Sequence, residues 1–182
     1  MNEKNNKILV HACCAICSGY PIQYLRELGH EPIIYFFNPN IYPESEYLKR
    51  LEAQERLCNA LNCELIVGEY GPHVYTESML GFETHREGSE RCAKCFELRL
   101  LKTVQVSETL EIYNFTTTLS VSPHKNFNVI KEVAKSVSND SSINFIDIDF
   151  KKQNGFLKTR QIAKGLDLYM QNYCGCEMSM QK

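Results

Sequence analysis

"KILVHACCAICSGYPIQYLRELGH", residues 7–30, is the stretch whose reading decides the fold. KILVHA (7–12) reads as a buried strand, and SGYPIQYLRELGH (18–30) has the spacing of an amphipathic helix that closes near Gly29. A strand that runs directly into a helix opens an α/β unit, and the turn between them holds Cys13, Cys14 and Cys17. The alternation then continues. EPIIYFFNP (31–39) reads as a strand rich in aromatic and β-branched residues, and Ser45 is placed to cap a helix over 46–61. CELIVG follows as a strand, and a helix is expected from about Cys92. IYNFTTTLS (112–120) and INFIDIDF read as strands, with KNFNVIKEVAKSV and GFLKTRQIAKGLD as helices. Alternating strands and helices call for a parallel sheet covered on both faces. The expected fold is a single Rossmann-like α/β domain over residues 1–182, without internal repeat or linker.

Composition removes several functional classes. A chain of 182 residues that is 43% hydrophobic can bury a core without staples. Its formal net charge of -2 carries no global mark of a nucleic-acid binder. The nine cysteines are an odd number, so complete internal pairing is impossible. The start, MNEKNNKILVHACC, has a lysine-bearing beginning but an apolar run too short for a secretory leader. No stretch reaches the length of a membrane span. The reading is a cytoplasmic protein with no membrane association, and grouped cysteines in a reducing compartment point to metal or redox chemistry.

In such a fold, ligands collect beyond the carboxyl ends of the strands. Four segments meet that description: HACCAICS, NPNIYP, TTTLSVSPHK and DFKKQNG. Seven of the nine cysteines fall into three groups: Cys13, Cys14 and Cys17, then Cys92 and Cys95, then Cys174 and Cys176. C-x-x-C at a helix start lets two sulfurs face one metal, so Cys13, Cys14, Cys92 and Cys95 can make a four-thiolate site for zinc or an iron–sulfur cluster. Adjacent cysteines are unusual in zinc ribbons, which favours the cluster. Cys174 and Cys176, separated by one glycine, can close a strained redox-active disulfide, or they can complete the ligand set. Spacing leaves both readings open. Cys58 and Cys63 have no partner spacing and read as small buried hydrophobes. The glycine-rich phosphate loop of nucleotide-hydrolysing α/β proteins is missing from HACCAICSG, which argues against that chemistry.

Taken in order, HACCAICS, FFNPNIYPESEYLKR, RCAKCFELRL, TTTLSVSPHKN, DFKKQNGFLKT and YMQNYCGCEMS resemble the successive signatures of the QueH-type epoxyqueuosine reductases, over about residues 7–179. The resemblance implies a HUP-type α/β fold and reduction of epoxyqueuosine to queuosine at the wobble position of tRNAs with GUN anticodons, the last step of queuosine biosynthesis. It also implies a [4Fe-4S] cluster on Cys13, Cys14, Cys92 and Cys95, and a redox-active pair at Cys174 and Cys176. The family pattern allows a second, mononuclear iron, for which Cys17 and Asp149 are the candidates. Two positions depart from the pattern: Ile16 stands where proline is usual, and Met170 where arginine often precedes the C-x-C signature.

Removing an epoxide oxygen takes two electrons and two protons and releases water. Asp149, His11 and His124 are the candidate acids, although a lone histidine is more often structural. The electron donor is not identified by the sequence. Lys151, Lys152, Lys158, Arg160 and Lys164 lie between 151 and 166 without an acidic residue, and the first four are the candidate tRNA contacts. The alternative is a solvated helix face. Phe36, Phe37, Tyr42, Phe156 and Tyr173 are candidates to stack on a splayed base, although Phe36 and Phe37 read better as strand core, and Ser122, His124 and Lys125 are candidates to meet a phosphate or the substrate ring. Two rival classes are a non-catalytic zinc- or cluster-bearing nucleic-acid binding module and an electron carrier.

Overall fold

A computed structural model describes residues 6–180. β1 (Lys7–His11), β2 (Glu31–Phe36), β3 (Glu64–Val67), β4 (Asn114–Thr117) and β5 (Asn144–Phe145) form one parallel sheet in the order β3-β2-β1-β4-β5. The helices are α1 (Ala15–Glu27), α2 (Glu44–Ala60), α3 (Pro72–Ser78), α4 (Glu90–Thr109), α5 (Phe127–Val137), α6 (Gly155–Gly165) and α7 (Glu177–Met180). This is the Rossmann-like α/β architecture expected from the alternation.

Period-two alternation along the strands explains the two faces. Ile8, Val10, Ile34 and Phe36 point to a core shared with α1, α2 and α6. Leu9, Ile33, Tyr35 and Phe115 point the other way, to a core shared with α4 and α5. Central strands buried on both sides are what a parallel sheet requires, and each fully buried aliphatic side chain contributes about 1.5–3 kcal/mol.

The chain runs outward from β1 through β2 to β3 and then returns to place β4 on the other side of β1. The crevice at such a reversal lies beyond the carboxyl ends of the two central strands. There the Cys13 N–H, just past β1, donates to Thr118 Oγ1, just past β4, at 3.0 Å.

Several boundaries move from expectation. α1 begins at Ala15, not Ser18, which brings Cys17 into the first helical turn with Cys14 at the N-cap. α2 starts at Glu44 with Pro43 at the N-cap, so Ser45 is not a cap. The expected strand over 112–120 pairs only at 114–117. Thr117 Oγ1 takes the Leu119 N–H at 3.1 Å, and the chain turns into a 3-10 segment over Thr118–Val121. Of INFIDIDF only Asn144 and Phe145 join the sheet. Beyond them, Thr116 Oγ1 donates to the Ile146 carbonyl at 3.0 Å and Ser120 Oγ to that of Ile148 at 3.1 Å, so hydroxyls stand in for a ladder. α3 was not anticipated. Among the described residues, no helix is long and apolar enough to cross a membrane.

Candidate metal centre and active-site cavity

The turn from β1 into α1 gathers Cys13, Cys14 and Cys17 so that their sulfurs all lie within 4.8 Å of one another. The short turn, with Cys14 as N-cap, sets this grouping, and the N-terminal end of α1 adds a positive field that favours thiolate. Cys13 Sγ lies 3.7 Å from Cys14 Sγ and accepts from Thr118 Oγ1 at 3.3 Å. Hydrogen bonds from Cys14 and Cys17 hold the Cys13 thiol well below its ordinary range against the effect of burial, and Lys125 and Arg99 act in the same direction. Cys14 and Cys17, as the donors to Cys13, are pushed up. Three buried sulfurs that converge form a soft donor set, suited to iron or zinc and unsuited to magnesium or calcium. The residues therefore fit a thiolate-bound metal, and Cys17 belongs to the group.

Cys13, Cys14, Cys17 and Cys174 line a cavity of about 840 Å³, together with Arg50, Arg99, Lys125, Phe156, Arg160 and Tyr173. Cys92 and Cys95, in the first turns of α4, line a smaller cavity of about 50 Å³ with Cys174 and Cys176. The two cavities share Arg99, Lys125, His124 and Cys174 in their walls. Burial raises the Cys92 thiol and pushes Cys95 to about 11, with Arg99 opposing the shift at Cys95. All nine cysteines are free thiols, Cys174 and Cys176 included. The buried Oδ1 of Asn40 has no hydrogen-bond partner among the described residues and lies in the wall of the smaller cavity.

A network of buried polar groups supports the thiols from behind. Arg99, on α4, donates through Nε to His11 Nε2 at 3.2 Å, through Nη2 to Asn38 Oδ1, and lies with Nη1 3.9 Å from Cys95 Sγ. Asn38 in turn donates to the Ala12 carbonyl at 2.9 Å. Burial, reinforced by Arg99, lowers His11 to about 3. The ring is neutral, so Nε2 accepts from Arg99 and Nδ1 donates to Thr117 Oγ1 at 2.8 Å. His11 thus links β1, β4 and α4, and it is not poised as an acid. Burial works against the Lys125 ammonium, but Cys174 and the first cysteine group together raise its pKa above the ordinary lysine range.

A family model described as "Epoxyqueuosine reductase QueH" matches residues 8–182. The chain belongs to the QueH family. It is similar to the epoxyqueuosine reductase QueH of Streptococcus pyogenes serotype M1, at 35% identity over 93% of this chain and 68% of the relative. The QueH of Staphylococcus epidermidis is 34% identical over 97% of this chain and 77% of its own length. That of Dehalococcoides mccartyi is 34% identical over 95% of this chain and 92% of the relative.

The remaining QueH-motif residues fall in different places. Asp149 accepts from the Lys151 N–H at 3.2 Å, and its carboxylate lies 3.9 Å from Lys151 Nζ. Lys151 Nζ also donates to the Lys125 carbonyl at 2.8 Å, which ties the β5 loop to the cavity wall. Lys152 is exposed, and Lys158 sits 4.8 Å over the Tyr20 ring. Arg160 lines the large cavity with its guanidinium 5.7 Å from the centre of the Phe156 ring. Phe36 and Phe37 are core residues. Sequence reasoning missed Arg50, Arg99 and Asn38. Arginines four residues from a glutamate or amid a polar helix face look like ordinary surface charges, and nothing in their spacing marks them as buried.

Proposed function

We propose that this chain, as a single domain over residues 1–182, reduces epoxyqueuosine to queuosine at the wobble position of tRNAs with GUN anticodons, in the cytoplasm; its relatives are named epoxyqueuosine reductases. The observation that carries the reading is one cavity in which a metal-ready cysteine group, Cys13, Cys14 and Cys17, faces Cys174 of the C-x-C pair, with Phe156 and Arg160 in its wall. Cys13 and Cys14, with Cys92 and Cys95 across the shared wall, are the residues that would hold a [4Fe-4S] cluster. Cys17, with Asp149, is the candidate holder of a second, mononuclear iron. Bound there, iron supplies single-electron transfer and Lewis acidity toward the epoxide oxygen.

The chain's own groups account for the rest of the balance. Oxidation of the Cys174 and Cys176 thiols to a disulfide releases two electrons and two protons. The epoxide C–O bonds break, the oxygen leaves as water, and the alkene forms. A separate electron donor then returns the disulfide to the dithiol. Asp149, where it is not taken up as an iron ligand, is the candidate acid for the departing oxygen, and His124, in the wall of both cavities, is the alternative. Lys151, Lys152, Lys158 and Arg160 supply phosphate contacts, and Phe156 offers a face on which a splayed base can stack.

Anaerobic reconstitution with iron and sulfide, then incubation with tRNA carrying epoxyqueuosine and a reductant, tests the proposal. Queuosine should appear with the loaded protein alone. A fully loaded protein that forms no queuosine overturns it, and a colourless protein with stoichiometric zinc supports the binding-module reading instead.

A further inference from the structure

We propose that Arg50 is a positioning residue for the Cys174 and Cys176 pair: its buried guanidinium fixes the irregular C-x-C turn and so holds both sulfurs in the wall of the smaller cavity. The inference rests on the assignment of these two thiols as the reacting pair.

Residues 169–176 adopt neither helix nor strand, so no backbone ladder holds this segment in place. Arg50 projects from α2, a rigid element, and is only 2% exposed. Its Nη1 donates to the Cys174 carbonyl at 3.0 Å and its Nη2 to that of Tyr173 at 3.2 Å. Its Cζ lies 5.0 Å from the centre of the Tyr173 ring. Nε donates to Glu46 Oε1 at 2.7 Å, and Glu46 Oε2 accepts from the Tyr169 hydroxyl at 2.7 Å. All three guanidinium nitrogens and both carboxylate oxygens are therefore engaged, and of the three residues they reach outside the pair, Tyr173 and Cys174 flank or belong to the C-x-C turn and Tyr169 lies on the same irregular segment.

A buried ion pair contributes little net stability over a well-packed apolar replacement. What this pair does provide is direction. The planar fork of arginine reaches two successive carbonyls at once, which the point charge of lysine does not. The remaining bonds of the turn close around the same grip. Tyr42 N–H donates to the Gly175 carbonyl at 2.8 Å, and Ser179 Oγ donates to that of Cys176 at 2.7 Å. Gly175 has φ +125°, and a Cβ there would lie 2.9 Å from Arg50 Nη1. The turn is thus packed directly on the guanidinium, and glycine is the residue that allows it.

The test uses the iron-loaded, reduced protein and brief alkylation, read at each cysteine by mass spectrometry. In Arg50→Lys and Arg50→Met, Cys176 should label about tenfold faster or more, as local opening exposes it. Cys58, buried on the same helix, should label at its wild-type rate. Turnover on epoxyqueuosine tRNA should fall by about tenfold or more with KM for tRNA within about twofold, the pattern of a group that orients reacting atoms. Glu46→Gln, which keeps the guanidinium but weakens its anchor, should give a smaller version of the same labelling change. Unchanged Cys176 labelling in both Arg50 variants overturns the proposal, as does a Cys58 rate that rises in step with Cys176, since that marks general loosening. Wild-type protein without turnover would overturn the functional reading, while the labelling result still decides the role of Arg50.

Discussion

The two sulfur-bearing regions that face the large cavity are held by different means. Cys13, Cys14 and Cys17 sit on the turn between the central strand and the first helix, where the sheet and the helix start leave the backbone little freedom. Cys174 and Cys176 sit on a segment without regular structure, anchored by a buried arginine, a tyrosine N–H and a serine hydroxyl. The first arrangement follows from the fold itself. The second depends on particular side chains reaching across from other elements. This suits the proposed roles, in which the first group holds a metal fixed through turnover and the second changes its bonding.

The comparison breaks most visibly at the metal side. Cys13→Ala removes the sulfur on which the hydrogen bonds of Cys14, Cys17 and Thr118 converge. Bound iron after anaerobic reconstitution should fall to background, and turnover should drop by more than the roughly 100-fold that loss of a supporting group around a metal costs. Iron analysis and the queuosine assay on one preparation check it. Cys174→Ser should instead abolish turnover with iron content and visible absorption retained. If that variant loses its iron as well, the two regions are one ligand set and the division of labour fails.

Gly175→Ala sharpens the contrast without touching a sulfur. The new Cβ would meet Arg50 Nη1 at 2.9 Å and Ile41 Cγ1 at 3.2 Å, on a backbone at φ +125°. Strain of this kind costs on the order of 1–3 kcal/mol, and the turn has no ladder to absorb it. Turnover should fall by about tenfold, the conversion of the lower part of that range, with iron content unchanged. Loss of iron in this variant would show that the C-x-C turn also supports the metal group.

The same difference explains what was legible in the sequence. The strand KILVHA and the thiols after it were readable because a buried parallel strand is a continuous apolar run and a βα turn lies immediately behind it. Cys17 could not be assigned until α1 was seen to begin at Ala15, since a start at Ser18 leaves that sulfur outside the helix. The ends of β4 and β5 were overread because Thr116, Thr117 and Ser120 satisfy nearby backbone groups through hydroxyls, a competition that apolar patterning does not register. Arg50 and Glu46 carry the spacing of a surface i,i+4 pair, and only the three-dimensional path of residues 169–176 across α2 shows them to be buried.

The smallest expected effect lies on the proposed substrate side, where α6 brings Arg160 to the wall of the same cavity. Arg160 is in the cavity wall and Lys158 is over Tyr20, so the two differ in what they face although both belong to one charged run. Arg160→Ala should weaken tRNA binding several-fold and reduce the slope of log affinity against log salt by about 1, as the loss of one phosphate contact does. Iron content and Cys176 labelling should stay at wild-type values, because neither thiol region depends on this guanidinium. Lys158→Ala tests a second proposed contact from the same helix. An unchanged salt slope there would confine the tRNA contact to the cavity wall, whereas an equal loss would extend it along the whole exposed face of α6 and make the basic run a docking surface in its own right.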